Sequence, residues 1–79
     1  MIDLEGLRSQ ANRRVQLAFK DGEVVEALLL AVDPVRDKDL TYEIERVVRV
    51  GSPPAVGTKV GATCIARLDD LANWTPLTD

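Results

Sequence analysis

The turn Lys20-Asp21-Gly22-Glu23 constrains the fold of this chain more than any other segment. Val15, Leu17 and Phe19 alternate with polar or small residues before it, and residues 24–32 after it are almost all apolar. Asp-Gly supplies the positive φ that a tight hairpin turn needs. A helix competes for residues 24–32, since Ala and Leu favour helices. Because of the hairpin signal, we interpret this stretch as a long, curved strand covered on both faces.

Further stretches alternate apolar and other residues and predict three more strands. The third begins at Leu40 and runs to about Val50, and a shift in its alternation at Val47-Val48 indicates a bulge. The fourth carries small inward residues over 60–66, and the fifth is a short closing strand over 72–77. A single tight turn at residues 68–71 joins the last two.

A short helix is expected before the first strand. The carboxylate of Asp3 can cap the first turn, and Leu4, Leu7 and Ala11 recur on one face. We therefore predict a helix over residues 3–12. Gly6 weakens this helix by roughly 1 kcal/mol relative to Ala.

The predicted architecture is a single, mainly β domain over residues 1–79. The helix over 3–12 is followed by five strands over 14–77, which form a narrow barrel; its strongly bent, SH3-like form is what the resemblance given below implies. Aromatic residues make up only 4% of the chain, and the many Val and Leu residues suit a narrow barrel. Closing the sheet would also hide its edges.

The composition removes most catalytic and metal-binding chemistry. The chain has no His and one Cys, which excludes His-based triads, Cys/His zinc sites and an internal disulfide. No nucleophile–base set or cofactor loop is visible, so we expect neither an enzyme nor a cofactor. Asp33, Asp37 and Asp39 lack the spacing of a calcium loop, so we interpret them as a solvated turn and expect no metal.

Charge and hydropathy limit the partners and the location. A net charge of −3 argues against a broad electrostatic hold on nucleic acid. The first five residues lack the features of a secretory signal, and the longest apolar stretch is far shorter than the ~20 residues of a membrane span. A single thiol suits a reducing compartment. We therefore expect a cytoplasmic protein that does not associate with membranes.

Two segments carry a family resemblance. The run 22–33 has a turn glycine, a small residue five positions on, a Leu after it and a closing Asp, and Leu40 follows at the expected distance. It resembles the first motif of Sm and Sm-like (LSm) proteins. Residues 66–71 are similar to the second motif, in which Arg-Gly-Asp-Asn lies between apolar residues. Residues 12–17 are similar to the segment that leads into the first strand of these proteins. The chain therefore resembles a divergent, bacterial-type member of the family, and this resemblance implies a barrel of Sm type.

The resemblance implies self-assembly. Members of that family form rings of six or seven by pairing the fourth strand of one subunit with the fifth strand of the next. The implied interface residues lie on or beside those strands: Val60, Ala62, Cys64 and Trp74. Trp74 also has a second interpretation as a core residue, and Cys64 is most simply a small core residue.

The resemblance also implies a site for uridine-rich RNA, formed by Asp33, Val35, Asp37, Arg67 and Asp69. Three departures from the family weaken it. Asp37 replaces an Asn that offers a base both donor and acceptor, and Val35 replaces a stacking ring. Leu68 replaces the Gly beside the Arg. A fourth departure lies outside this site: Ala27 replaces the glycine of the first motif, which costs a tight strand bend but not the fold. Arg67 can contact a base or phosphate, or instead pair with Asp69 or Asp70.

Two functions follow as expectations. The first is a ring-forming, Sm-like module that acts as a binding scaffold, with RNA as a candidate partner. The alternative is an SH3-like adaptor without a ring, whose acidic loop 33–39 and whose Glu43 and Glu45 meet a basic protein segment.

Overall fold

A computed structural model describes residues 3–51 and 59–77, and these form a mainly β structure with one short helix. The chain runs through α1 (Leu4–Arg8), β1 (Arg14–Phe19), β2 (Val24–Asp33), β3 (Asp39–Arg49), β4 (Thr63–Arg67), a 3₁₀ turn (Leu68–Asp70) and β5 (Leu71–Pro76). The strands make one antiparallel sheet in the order β4-β3-β2-β1-β5.

The predicted β1–β2 hairpin is confirmed. The N–H of Phe19 donates to the carbonyl of Glu23 at 2.8 Å, and Gly22 adopts a φ of +94°. The Asp21 carboxylate accepts from the N–H of Glu23 at 2.9 Å and holds the turn from inside. Residues 24–32 are therefore part of a strand and not a helix.

The sheet buries one face. Alternate residues of the first three strands point into a core that has Val15, Leu17, Val25, Leu29, Leu40 and Ile44 at its centre. The other face of β2 is half-buried rather than fully covered. The predicted bulge is present, because Val25 pairs with Val47 while Val24 pairs with Arg49. Two more register shifts between β2 and β3 bend these long strands further.

The helix ends at Arg8 rather than at residue 12. Ser9 follows it as the C-cap, and its hydroxyl donates to the carbonyl of Gly6 at 2.6 Å. Asn12 has a φ of +68°, which ends any helical path, and its N–H donates to Leu29 of β2 at 2.7 Å. Residues 9–13 therefore join the sheet instead of extending the helix.

Trp74 fastens α1 to the sheet within the same chain. Its indole N–H donates to the carbonyl of Asp3 at 3.1 Å. A Cβ at Gly6 would lie 3.1 Å from the Trp74 ring and would collide with the Asp3 carboxylate, which accepts from the N–H of Gly6 at 2.8 Å. Gly6 is therefore needed for this close approach, despite its low helix propensity.

The sheet is not closed, in contrast to the closed barrel expected from the sequence. β4 pairs only with β3, and β5 pairs only with β1. The connecting turn is tied at both ends, since the N–H of Leu68 donates to Lys38 and the carbonyl of Asp70 accepts from Lys20, both at 2.9 Å. A cavity of about 450 Å³ lies between β4 and the β1–β2 turn. The turn between β4 and β5 is thus bonded to the connection before β3 at one end and to the residue after β1 at the other.

Within the described residues, no helix combines the length and the apolar character needed to cross a bilayer.

Candidate functional site

The residues of the expected RNA site come together at one end of the sheet. Asp33, Val35 and Asp37 lie at and after the end of β2, and Arg67 and Asp69 lie at and after the end of β4. Arg67 pairs in register with Asp39, and the bond from Leu68 to Lys38 joins the two segments. We call these five residues the loop cluster.

Asp33 organises the loop that follows it. Its Oδ1 accepts from the backbone N–H groups of Val35 at 3.1 Å and Arg36 at 3.0 Å, and its Oδ2 lies 3.5 Å from the N of Asp37. These hydrogen bonds, with a smaller contribution from the charge of Arg8, lower the pKa of the Asp33 carboxyl below its ordinary value. Its oxygens already accept from the backbone, so Asp33 shapes the loop rather than offering a free group to a ligand.

The other members of the loop cluster face solvent. Val35 is 77% exposed and leaves an apolar tip on an acidic loop. The side chains of Arg67 and Asp69 are 77% and 80% exposed, and their charged atoms are 4.0 Å apart. Because this ion pair is long and exposed to solvent, it contributes little to stability. Arg67 is therefore able to turn towards a ligand.

The carboxylates of the loop cluster are the groups that could bind a metal ion. No group of three or more candidate metal ligands occurs within residues 3–51 and 59–77. The carboxylate of Asp33 accepts hydrogen bonds from backbone N–H groups, as in an ordinary turn.

Within residues 3–51 and 59–77, β4 has a strand on one side only, so its other edge is open there. The N–H of Ile44 donates to the carbonyl of Ala62, and the N–H of Leu68 donates to the carbonyl of Lys38. Along an antiparallel pair of strands, the backbone groups of successive residues point alternately towards and away from the partner strand. Cys64 and Ala66 therefore direct their N–H and C=O groups towards β3. Those of Thr63, Ile65 and Arg67 point away from it, towards solvent. The side chain of Ile65 is 70% exposed on this strand.

The edge of β5 is less open. The N–H of Leu77 donates to the carbonyl of Arg14. Given the register of β1 and β5, the N–H and C=O groups of Asn73 and Thr75 therefore also point towards β1. Trp74 and Pro76 then face outward. The side-chain Oδ1 of Asn73 accepts from the N–H of Trp74 at 2.9 Å, and Pro76 has no N–H.

The expected interface residues lie in different environments. Val60 is 65% exposed, whereas Ala62 and Cys64 are half-buried and Cys64 packs against the core. Burial, with a smaller effect of Glu23, raises the pKa of the Cys64 thiol, as befits an unreactive core residue. Trp74 packs against the core and bonds to Asp3.

Sequence reasoning did not single out Ile65 or Asn73. The alternation that placed Cys64 and Ala66 inward already implied that Ile65 points outward, so a signal was present. No signal marked Asn73, because its role depends on which backbone groups of β5 face away from β1.

Comparison of the chain with models of protein families, with curated proteins and with solved structures gave no match. The function must therefore be argued from the geometry of the chain.

Proposed function

We propose that this chain is a small-barrel module of Sm-like type that assembles with copies of itself into a ring and acts as a binding scaffold. The observation that carries the proposal is the sheet order β4-β3-β2-β1-β5, which leaves one unpaired edge at each end. In such an assembly, β4 of one subunit pairs with β5 of the next.

The physical argument rests on the difference between the two edges. A contact between two unlike surfaces is head-to-tail, and its repetition closes into a ring when the rotation per subunit allows it. A domain of this size buries only about 60% of its unfolded surface, so burial of Ile65 and of the backbone groups of β4 would add support that the core lacks. Six or seven copies are the ring sizes that the resemblance implies.

The loop cluster makes RNA a candidate partner. Arg67 is exposed and weakly paired, as a contact to a phosphate or a base requires. Asp37 and Val35 offer neither an amide nor a ring, and Leu68 is buried and turned inward. RNA binding would therefore depend mostly on Arg67 and should be weak and sensitive to salt.

Measuring the solution mass by light scattering across micromolar concentrations tests the assembly. We expect a multiple of 8.7 kDa. Ile65→Lys places a charge at the open edge and should reduce the mass to that of one chain. Val48→Lys is the matched control, because Val48 is also exposed but lies beyond the part of β3 that pairs with β4. A single 8.7 kDa species for the unaltered chain at all these concentrations would contradict the proposal.

Titrating oligo-uridine at low and moderate salt tests the RNA component separately. Arg67→Ala should weaken binding and reduce the salt slope by about 0.7, the value for one phosphate contact of a single strand. Arg49→Ala is the control, because Arg49 is exposed at the opposite end of β3 and changes the net charge equally. If the unaltered chain does not bind at low salt, the scaffold has no RNA partner of this kind.

One observation favours a second function, an SH3-like adaptor that binds a protein segment without forming a ring. The open β4 edge can accept an extended peptide as an added strand. The acidic partner surface expected from the sequence is smaller than it first seemed, because Glu45 pairs with Arg14 at 3.0 Å. A lone chain that binds a basic extended peptide, with loss of binding in Ile65→Lys, would favour this function over the ring.

A further inference from the structure

The N–H of Trp74 is the one donor that the outward side of β5 presents between residues 73 and 76. Asn73 and Thr75 direct their backbone groups towards β1, and Pro76 has none to give. This N–H is therefore the only backbone donor that residues 73–76 can offer to an added strand.

That donor is already occupied by the neighbouring side chain. The Oδ1 of Asn73 accepts from the N–H of Trp74 at 2.9 Å, within the range of a well-formed hydrogen bond. The Asn73 side chain is exposed and makes no other hydrogen bond within residues 3–51 and 59–77. It can therefore turn away into solvent without breaking another hydrogen bond within these residues.

We propose that Asn73 is a latch on the β5 edge, and that displacement of its side chain from the N–H of Trp74 sets how tightly the chain assembles. This inference rests on the assembly proposed above. With the latch in place, an incoming β4 strand exchanges one hydrogen bond for another instead of gaining one. Without it, the N–H of Trp74 is left to water and the incoming carbonyl adds a new hydrogen bond.

The predicted size of the effect follows from a single hydrogen bond. Such a bond contributes about 0.5–1.5 kcal/mol net, which corresponds to an association about 2- to 10-fold tighter per interface in Asn73→Ala. Asn73→Asp keeps an acceptor at the same place and should associate no more tightly than the unaltered chain. Thr75→Ala is the matched control, because Thr75 is exposed on the same face of β5 and its backbone also faces β1. It should leave the association constant unchanged.

The experiment measures the association constant of each variant by sedimentation equilibrium. It also measures hydrogen exchange of the Trp74 amide by NMR, at concentrations where the chain is monomeric. Asn73→Ala should speed this exchange several-fold, and Asn73→Asp should not. Tighter association together with faster exchange in Asn73→Ala supports the latch.

Two results would overturn the latch while leaving the assembly standing: an unaltered chain that assembles with the same constant as Asn73→Ala, or a Trp74 amide that exchanges equally fast in both. If neither chain assembles at any concentration, the proposed function fails and the latch fails with it. If the unaltered chain assembles only at concentrations several-fold higher than those at which Asn73→Ala assembles, both the assembly and the latch are supported.

Discussion

Between residues 73 and 76, the outward backbone donors of β5 are already used or missing, whereas the three outward N–H groups of β4 bond to no side chain within residues 3–51 and 59–77. On the β5 edge, the Asn73 side chain accepts from the N–H of Trp74, and the Trp74 indole bonds to Asp3. Pro76 has no N–H. The β4 edge combines Thr63, Ile65 and Arg67, and Ile65 is mostly exposed. Both strands are short and both lie at the end of the same sheet.

The difference shows that the protection of an edge strand depends on local side-chain chemistry and not on its position in the sheet. Natural sheets protect their edges with Pro, charges or covering elements, because an unprotected edge recruits other strands. Among the described residues, the β5 edge has a Pro and an occupied donor, whereas the β4 edge has only the charge of Arg67. The less protected β4 edge is therefore the one to which we expect another strand to add first.

The largest expected effect tests the alternation of backbone groups in β4. Ala66→Pro removes an N–H directed towards β3 and should lower the free energy of unfolding by about 3 kcal/mol. Ile65→Pro removes an N–H directed towards solvent, where Pro is tolerated, and should cost less than half as much. Urea denaturation followed by circular dichroism measures both. Equal losses would show that the β4 edge does not have the assigned orientation.

A somewhat smaller effect tests the anchoring of β5. Trp74→Ala removes the packing of the indole against α1 and should cost about 2–3 kcal/mol, below the value for a fully buried ring because Trp74 is only half-buried. Trp74→Phe keeps a ring but loses the bond to Asp3, and should cost about 1 kcal/mol. Ile65→Ala on the other edge is the control and should change stability by less than about 0.5 kcal/mol. A Trp74→Ala chain as stable as this control would disprove the anchoring.

Alkaline pH should weaken the sheet beside β4. Burial raises the pKa of the Tyr42 hydroxyl, and the nearby Cys64, Glu23 and Asp21 raise it further. The full stability contribution is therefore present below the unfolded pKa of about 10. It is lost as the pH rises above that value, because the unfolded chain then releases a proton that the folded chain retains.

The slope in this range should approach about 1.4 kcal/mol per pH unit, the value for one proton. Urea midpoints between pH 9 and pH 11 measure it. Burial also raises the pKa of the Cys64 thiol, so the comparison is made in a Cys64→Ala background. There Tyr42→Phe should remove most of the slope, and a slope that persists would assign the effect to other groups.

The smallest effect concerns the loop that is joined to the end of β4 through Lys38 and Leu68. The pKa of the Asp33 carboxyl is lowered below its ordinary value of 3.8, so the carboxylate keeps its bonds to Val35 and Arg36 at every pH above 3.8. These bonds are lost only when the pH falls through the lowered pKa. The amide chemical shifts of Val35 and Arg36 should therefore titrate below pH 3.8. In Asp33→Asn this titration should disappear, and a midpoint above 3.8 in the unaltered chain would contradict the hydrogen-bonded loop.

The strands were predictable because their signals are local. The Asp-Gly turn, the alternation around it and the shift at Val47-Val48 each depend on a few neighbouring residues, and each corresponds to an observed feature. The helix end was missed because Ser9 and Asn12 stop it through contacts that helical periodicity does not include.

The open sheet was missed for a different reason. Closure depends on how far β2 and β3 bend and on where the 3₁₀ turn is anchored, and both are properties of the whole sheet. The adjacency of Arg67 to the loop after Asp33 followed from the motif order of the resemblance. The contacts of Asn73 and Gly6 could be found only from the coordinates. Asn73 bonds to the N–H of Trp74, and Gly6 lies close to both the Trp74 ring and the Asp3 carboxylate.

Trp74 is the only tryptophan of the chain, and it lies where α1 meets β5. Its fluorescence is therefore an intrinsic optical reporter for this junction. Release of the helix would expose the indole to water and shift the emission to longer wavelength, even if the strands stayed paired. Docking of the helix can thus be followed in solution without adding a dye.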